Sequence, residues 1–236
     1  MTGNRMGFWF LDKMRGAFSE PSIAKGIGAE VDFRKDFKSR KASAWRPTVA
    51  FVVDEMALHG WPGEEAKREE GWRRQQIYFN QVEFLKAAGM PFEIYLAEDV
   101  LTHPERLAHV RVTLLAHFRK VDEVRRRFID AMRTEGRTVV ALADTGRLGG
   151  KPEPAKGIVF VDEPMGLKPV DLNRLAEEAG AYVALPPDVA QVTANGEFLA
   201  LHALTGGTFD LVLPWGERRT VAFDTGDNLR FVRELP

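Results

Sequence analysis

The sequence predicts an α/β protein, in which a parallel sheet lies between two layers of helices and a small antiparallel β unit follows. Short apolar runs such as residues 48–53 are typical of strands buried on both faces of a parallel sheet. Helical stretches that end at glycine alternate with these runs, and this order indicates an open sheet with helices on both faces. After Pro186-Pro187 the pattern changes to short strands separated by turns.

The predicted sheet begins with the strand 48–53. A polar loop follows this strand, and then a helix over residues 65–88, which has an apolar stripe and ends at Gly89. Residues 151–169 are rich in proline, and we expect them to be irregular. The remaining predicted strands are 92–96, 110–116, 138–143 and 181–185, and the remaining helices are 121–134 and 171–179.

The two ends of the chain differ from this pattern. Residues 1–46 combine a short aromatic run with turn-rich and charged stretches, and they form no self-contained core. At the other end, Asn195-Gly196 is a strong hairpin signal. The strands predicted around and after this hairpin are 190–193, 198–202, 209–213, 221–223 and 229–232.

Composition excludes several classes of function. The chain has 236 residues, of which 44% are hydrophobic and 28% charged, as in ordinary globular proteins. A net charge of −1 predicts no bulk attraction to nucleic acid or to an anionic membrane. No apolar run is long enough to span a bilayer, and no signal-peptide pattern is present, so we expect a cytoplasmic protein. The absence of cysteine excludes disulfides, thiolate metal sites and a cysteine nucleophile.

Polar residues follow several of the predicted strands, at the edge where open α/β sheets bind ligands. They are Asp54, Glu55, His117, Asp144 and Thr145. Asp54 and Glu55 could serve acid–base chemistry or bind a cation, but acidic residues also favour helix N-termini. We therefore expect this pair to cap the next helix or to face solvent.

His117 is the second candidate, and we expect it to be a loop histidine. No glycine, serine or cysteine lies near this turn, so an acyl-transfer elbow is absent, and no aspartate stands at a fixed spacing from the imidazole. The glycine-rich loop 144–150 does not have the GxGxxG pattern, and we interpret it as a mobile surface loop rather than a phosphate cradle. The five histidines show no metal-ligand spacing, so we predict neither a metal nor a cofactor.

Trp9 and Asp12 form the constellation that most favours a ligand. An indole can stack on the apolar face of a sugar ring while a neighbouring carboxylate accepts hydrogen bonds from its hydroxyl groups. The alternative is that Phe8, Trp9 and Phe10 only bury an N-terminal strand.

Five segments, in this order, resemble the end of a glycoside hydrolase of family 42, the β-galactosidase type. They are the aromatic run Gly7–Phe18 with Pro21, the strand Val49–Glu55, the helix-to-strand step Ala87–Leu96, the stretch Asp171–Val183, and the stretch Ala194–Ala203. The resemblance implies that residues 1–46 are the end of a (β/α)8 barrel with a linker. Residues 47–185 then match a trimerisation domain, and residues 186–236 match a small β domain that is truncated.

The resemblance also implies a fold and a site. The trimerisation domain of this family has a flavodoxin-like, class I glutamine amidotransferase-like three-layer fold. The family's two catalytic glutamates lie on barrel strands that would precede residue 1, so no catalytic residue is assigned in this chain. Trp9 resembles an aromatic residue that lines the sugar site, and Asp12 lies beside it, so both are assigned as substrate-binding residues.

Three functions remain open from the sequence. The first is a non-catalytic accessory and oligomerisation region of a β-galactosidase-like hydrolase, which is active only if a barrel completes it. The expected partners are a galactoside-like carbohydrate and further copies of the chain, with a trimer implied by the resemblance. The second is a stand-alone amidotransferase-like or ThuA-like protein that binds a small molecule at the strand ends. The third is a purely structural oligomerisation module.

Overall fold

The computed structural model describes residues 45–54, 78–163, 166–194 and 196–233, all within the compact unit Ser43–Pro236. Trp9, Asp12 and Glu55 lie outside the described residues, as do the first part of the helix predicted over 65–88 and Asn195 of the predicted hairpin. The domain boundaries at residues 46 and 185 therefore stay predictions.

A five-stranded parallel sheet forms the centre of the described structure. Its strand order is β2-β1-β3-β4-β5, which is the order of flavodoxin-like folds. Both neighbours of β1 run parallel to it, with Phe51 opposite Ile94 on β2 and Leu114 on β3. The strands are β1 (Val49–Val53), β2 (Glu93–Leu96), β3 (Val112–Ala116), β4 (Thr138–Leu142) and β5 (Ile158–Val161).

Helices cover both faces of this sheet. The helices are α1 (residues 78–87 of the described chain), α2 (Ala97–Thr102), α3 (Glu123–Thr134) and α4 (Pro169–Glu178), and a 3₁₀ turn spans Pro104–Leu107. Side chains of β1 alternate between the two faces: Phe51 packs in one core cluster with α1 and α4, and Val52 packs in the other with α2 and α3. The three-layer α/β architecture is therefore confirmed, and it explains why β1 is apolar along its whole length.

Two small antiparallel sheets complete the described structure. One has the order β10-β7-β6 and the other pairs β8 with β9. The predicted hairpin is confirmed, because Val192 of β6 lies opposite Leu201 of β7. The strands are β6 (Ala190–Ala194), β7 (Phe198–Ala203), β8 (Gly207–Val212), β9 (Arg218–Phe223) and β10 (Asn228–Val232).

The fifth strand of the parallel sheet lies in a different place from the one predicted. Residues 158–161, in the stretch expected to be irregular, form β5 and pair with β4. Residues 181–185 are not a strand. Their backbone N–H groups bond elsewhere, because Tyr182 donates to Thr48 Oγ1 at 2.8 Å and Leu185 donates to the carbonyl of Gly89 at 3.0 Å. The short helix α2 was also not predicted.

Candidate functional site

The carboxyl ends of β1, β3 and β4 meet at one edge of the parallel sheet, where Asp54, His117 and Asp144 directly follow or closely follow the strands. The chain order reverses between β1 and β3, since β2 lies on one side of β1 and all later strands lie on the other. Such a switch point is where open α/β sheets bind ligands. Asp54 lies beside the end of β3, because its N–H donates to the carbonyl of Ala116 at 3.0 Å.

His117 and Asp144 form a buried pair, each with less than 5% of its surface exposed. Asp144 contacts the histidine twice: Oδ2 lies 3.0 Å from the imidazole Nδ1, and Oδ1 accepts from the backbone N–H of His117 at 3.3 Å. His117 has a φ of 64°, in the left-handed region that few non-glycine residues adopt. The aspartate therefore fixes both the ring and the strained backbone that carries it.

The buried Asp54 forms a second pair, with the partly buried Arg125 of α3. Its Oδ2 accepts from Arg125 Nε at 2.7 Å, and Arg125 Nη1 donates to Asp122, the N-cap residue of α3, at 2.9 Å. The hydrogen bond to Asp54 raises the pKa of the Arg125 guanidinium above its usual value. The backbone N–H of Arg125 donates to Asp122 and lowers the pKa of that carboxyl. Arg125 thus ties the end of β1 to the first turn of α3.

Backbone hydrogen bonds join the loops that follow β3 and β4. Gly146 N–H donates to the carbonyl of Phe118 at 2.7 Å, and Leu148 N–H donates to that of Arg119 at 2.7 Å. Val121 N–H in turn donates to the carbonyl of Gly149 at 3.0 Å. Residues 144–146 are buried. The first residues of the glycine-rich loop, 144–146, are therefore packed in place. The expectation of a mobile surface loop was wrong for these residues.

Two buried polar atoms of this edge have no hydrogen-bond partner within the described chain. They are Oδ1 of Asp54 and Oγ1 of Thr145, on residues that are 3% and 4% exposed. Most buried polar side-chain atoms have a partner, so these two atoms need an explanation.

The sequence placed Asp54, His117 and Asp144 at the ends of strands but assigned them the wrong environments. Asp54 does not face solvent, because it is buried and paired with Arg125. His117 is not an isolated loop histidine, because Asp144 holds it. Sequence reasoning missed Arg125 and Asp122, although Asp122 at the start of the predicted helix 121–134 was a recognisable N-cap signal.

Neither a metal centre nor a membrane span is found in the described part of the chain. No group of three or more His, Cys, Asp or Glu side chains there could hold a metal ion. No helix of those ranges is long and apolar enough to cross a membrane.

Solved structures of family 42 β-galactosidases have the same fold over most of this chain. The β-galactosidase of the psychrophilic Marinomonas ef1 has a TM-score of 0.58 at 11% identity, over 90% of this chain and 42% of its own. The enzyme of Rahnella sp. R3 has a TM-score of 0.55 at 12% identity, over 90% of this chain and 44% of its own. A catalytic mutant of the enzyme of G. stearothermophilus also has a TM-score of 0.55 at 12% identity, over 90% of this chain and 44% of its own. No family profile and no curated protein match the sequence.

These comparisons establish a shared fold. The chain spans less than half the length of the β-galactosidases that it resembles. The predicted resemblance to family 42 β-galactosidases is confirmed at the level of the fold.

Proposed function

We propose that this chain is a non-catalytic accessory and oligomerisation region of a β-galactosidase-like glycoside hydrolase. The observation that carries the proposal is the fold shared with family 42 β-galactosidases over 90% of this chain but only 42–44% of theirs. We propose that such a region acts on a galactoside only together with the catalytic barrel that the resemblance implies. Trp9 and Asp12 remain our candidates for contact with the sugar.

The charged residues at the sheet edge support an accessory role. Asp54 pairs with Arg125, and Asp144 pairs with His117. These side chains hold neighbouring elements together, and the chain has no cysteine that could act as an amidotransferase nucleophile. The proposal therefore assigns hydrolysis to residues outside this chain.

The edge strand β2 supports an assembly role. Two large apolar side chains of this strand are about half exposed, Ile94 at 47% and Leu96 at 49%. Ile94 also lines a cavity of about 310 Å³ beside β6, together with Pro91, Phe92 and Val192. An exposed apolar edge strand readily pairs with another chain, so we propose that copies of this chain meet at β2.

Solution mass and hydrolysis assays test this proposal. Light scattering after gel filtration of the full chain is expected to give a homo-oligomer, with a trimer as the proposed size. Ile94→Lys, which introduces a charge at the exposed edge, is expected to yield monomers, whereas Val170→Lys at an equally exposed apolar position on α4 is the matched control. We expect no hydrolysis of an aryl galactoside by the isolated chain. Turnover that Asp54→Asn abolishes, or a monomeric parent chain, would contradict the proposal.

A second candidate function is favoured by one specific observation. The buried His117–Asp144 pair and the unpartnered atoms of Asp54 and Thr145 lie at the edge where a small-molecule binding protein would hold its ligand. A stand-alone amidotransferase-like or ThuA-like binding protein would use this edge without a cysteine. A monomer that binds a small molecule would favour this candidate over the accessory region.

A further inference from the structure

The carboxyl edge of β1, β3 and β4 contains hydrogen-bonding atoms that the protein itself does not use. Asp54 Oδ1 and Thr145 Oγ1 are both buried and have no hydrogen-bond partner in the described ranges. Leaving such an atom unpaired is costly, and proteins seldom keep two at one place without a use for them. We propose that this edge is a binding site for a small, neutral, polyhydroxylated molecule about the size of a monosaccharide.

The strained histidine is an independent observation at the same edge. His117 has a φ of 64°, and Asp144 binds both its ring and its backbone N–H. Non-glycine residues in this region of backbone space cluster at functional sites, where the surrounding structure holds them. With Nδ1 held by Asp144, the imidazole presents its other nitrogen, Nε2, at a fixed position.

The three groups follow the carboxyl ends of adjacent strands of the parallel sheet. The N–H of Asp54 bonds to the residue before His117, and neighbouring strands of a sheet lie about 4.8 Å apart. Thr145 directly follows Asp144, which touches the imidazole. The candidate site therefore spans the ends of three adjacent strands.

The chemistry of these groups selects the class of ligand. A carboxylate oxygen of Asp54 only accepts, whereas the hydroxyl of Thr145 both donates and accepts, and the imidazole of His117 offers one further ring nitrogen. Neighbouring hydroxyl groups on one ligand match this set, since each can donate to one group and accept from another. A neutral ligand fits this edge, because both carboxylates already have a partner: Asp54 pairs with Arg125, and Asp144 pairs with His117. This inference rests on the second candidate function, whose site it shares, and not on the proposed accessory function.

Histidine resonances observed by NMR provide the first test. The full chain is titrated with millimolar D-galactose, D-glucose and myo-inositol. The ring signal of His117 is identified as the signal that is absent from the His117→Asn variant. Asparagine is chosen because it also tolerates a positive φ. We expect at least one of these polyols to shift the His117 signal in a saturable way. Silence of the His117 signal with all three would overturn the proposal. Ethanolamine is titrated as a cationic comparison. A shift of the His117 signal with ethanolamine alone would indicate a cationic ligand and would equally overturn the proposal.

A matched pair of threonine variants provides the second test. Thr145→Val and Thr113→Val each remove a buried hydroxyl that has no partner in the described structure, but Thr113 lies four residues before His117, inside β3. We expect Thr145→Val to weaken polyol binding about tenfold and Thr113→Val to leave it within about twofold. Thr145→Ser, which retains the hydroxyl, is expected to bind like the parent. Equal losses in both valine variants, or no loss in Thr145→Val, would place the binding elsewhere and refute the site.

Discussion

His117 shows how one residue at this edge depends on its neighbours. Holding a non-glycine residue at a φ of 64° costs about 1–3 kcal/mol. The carboxylate of Asp144 offsets that cost through two contacts, one to the ring and one to the backbone N–H. The geometry of the residue is thus set by a side chain that lies 27 positions away in the sequence.

The glycine-rich loop beside His117 gives a prediction at the residue scale. Gly150 has a φ of +75°, and a Cβ added there would lie 2.0 Å from the carbonyl oxygen of Val121. Gly136, after α3, has a nearly equal φ of +77° but open space around the same position. We expect Gly136→Ala to lower the free energy of unfolding by about 1 kcal/mol through backbone strain alone. Gly150→Ala is expected to lower it by a further 1–3 kcal/mol, roughly, because the backbone must move.

Urea denaturation of the two alanine variants measures the difference between these costs. Circular dichroism before denaturation controls for the retention of secondary structure. Equal destabilisation of Gly136→Ala and Gly150→Ala would show that the loop after β4 is not packed against Val121.

Helix α3 is the element that connects the sheet edge to a helical layer. Its N-cap Asp122 accepts from the backbone N–H of Arg125 at 3.0 Å, and the same Arg125 reaches back to Asp54 at the end of β1. The cap therefore stabilises the helix and also orients the arginine that neutralises a buried carboxylate.

Substitution of this cap gives a prediction at the scale of the element. Asp122→Ala is expected to lower the free energy of unfolding by about 1–2 kcal/mol, because the first turn loses its acceptor. Asp122→Asn retains a capping side chain and is the matched control, with a smaller loss at neutral pH that comes from the ion pair with Arg125.

The pH dependence of this loss follows from the lowered pKa of Asp122. Between the folded-state pKa and the ordinary value of about 3.9, the unfolded state binds more protons than the folded state. The stabilisation by the ionised carboxyl is therefore complete above that ordinary value and is lost as the pH falls through the folded-state pKa. Urea denaturation of the parent and Asp122→Asn from neutral pH to about pH 3 should show their difference shrinking. A constant difference would contradict the assigned role of the charge.

At the scale of the whole described unit, Tyr182 joins the parallel sheet to the antiparallel strands. Its backbone N–H donates to Thr48 Oγ1 just before β1, and its phenol donates to the carbonyl of Val212 on β8. Trp45 packs edge-on against its ring at a centroid distance of 5.3 Å. Burial raises the pKa of the Tyr182 phenol well above its ordinary value.

Loss of this phenol gives the prediction for the whole unit. Tyr182→Phe is expected to lower the free energy of unfolding by about 1 kcal/mol at neutral pH, because the Val212 carbonyl loses its donor. The raised pKa means that the unfolded state loses the proton first, so the parent loses stability as the pH rises above about 10. Tyr182→Phe should lose less stability over that alkaline range.

We would follow thermal unfolding of the parent and of Tyr182→Phe, at neutral and at alkaline pH, by tryptophan fluorescence and by far-ultraviolet circular dichroism. The difference in transition temperature between the two proteins checks both statements. Coincident transitions are expected if Tyr182 couples the two sheets. Separate transitions in the parent chain would show that the two sheets unfold independently, and Tyr182 would then have no coupling role.

The sequence by itself determined the order of most elements and the class of the fold. Uninterrupted apolar runs locate β1 and β3, because a strand covered by helices on both faces has no solvent-facing position. Gly136 locates the C-terminal end of α3, and Asn195-Gly196 locates the hairpin between β6 and β7, because these signals act over a few residues.

Only the tertiary structure decided which residues form the candidate site and which run becomes the last parallel strand. Asp54 and Arg125 are 71 positions apart, and no spacing rule predicts their contact. Residues 158–161 become β5 because β4 offers them a partner edge. The N–H groups of Tyr182, Ala184 and Leu185 are instead used by Thr48 and Gly89. A strand and a buried ion pair both depend on a distant partner, so their placement follows from the packed chain rather than from local pattern.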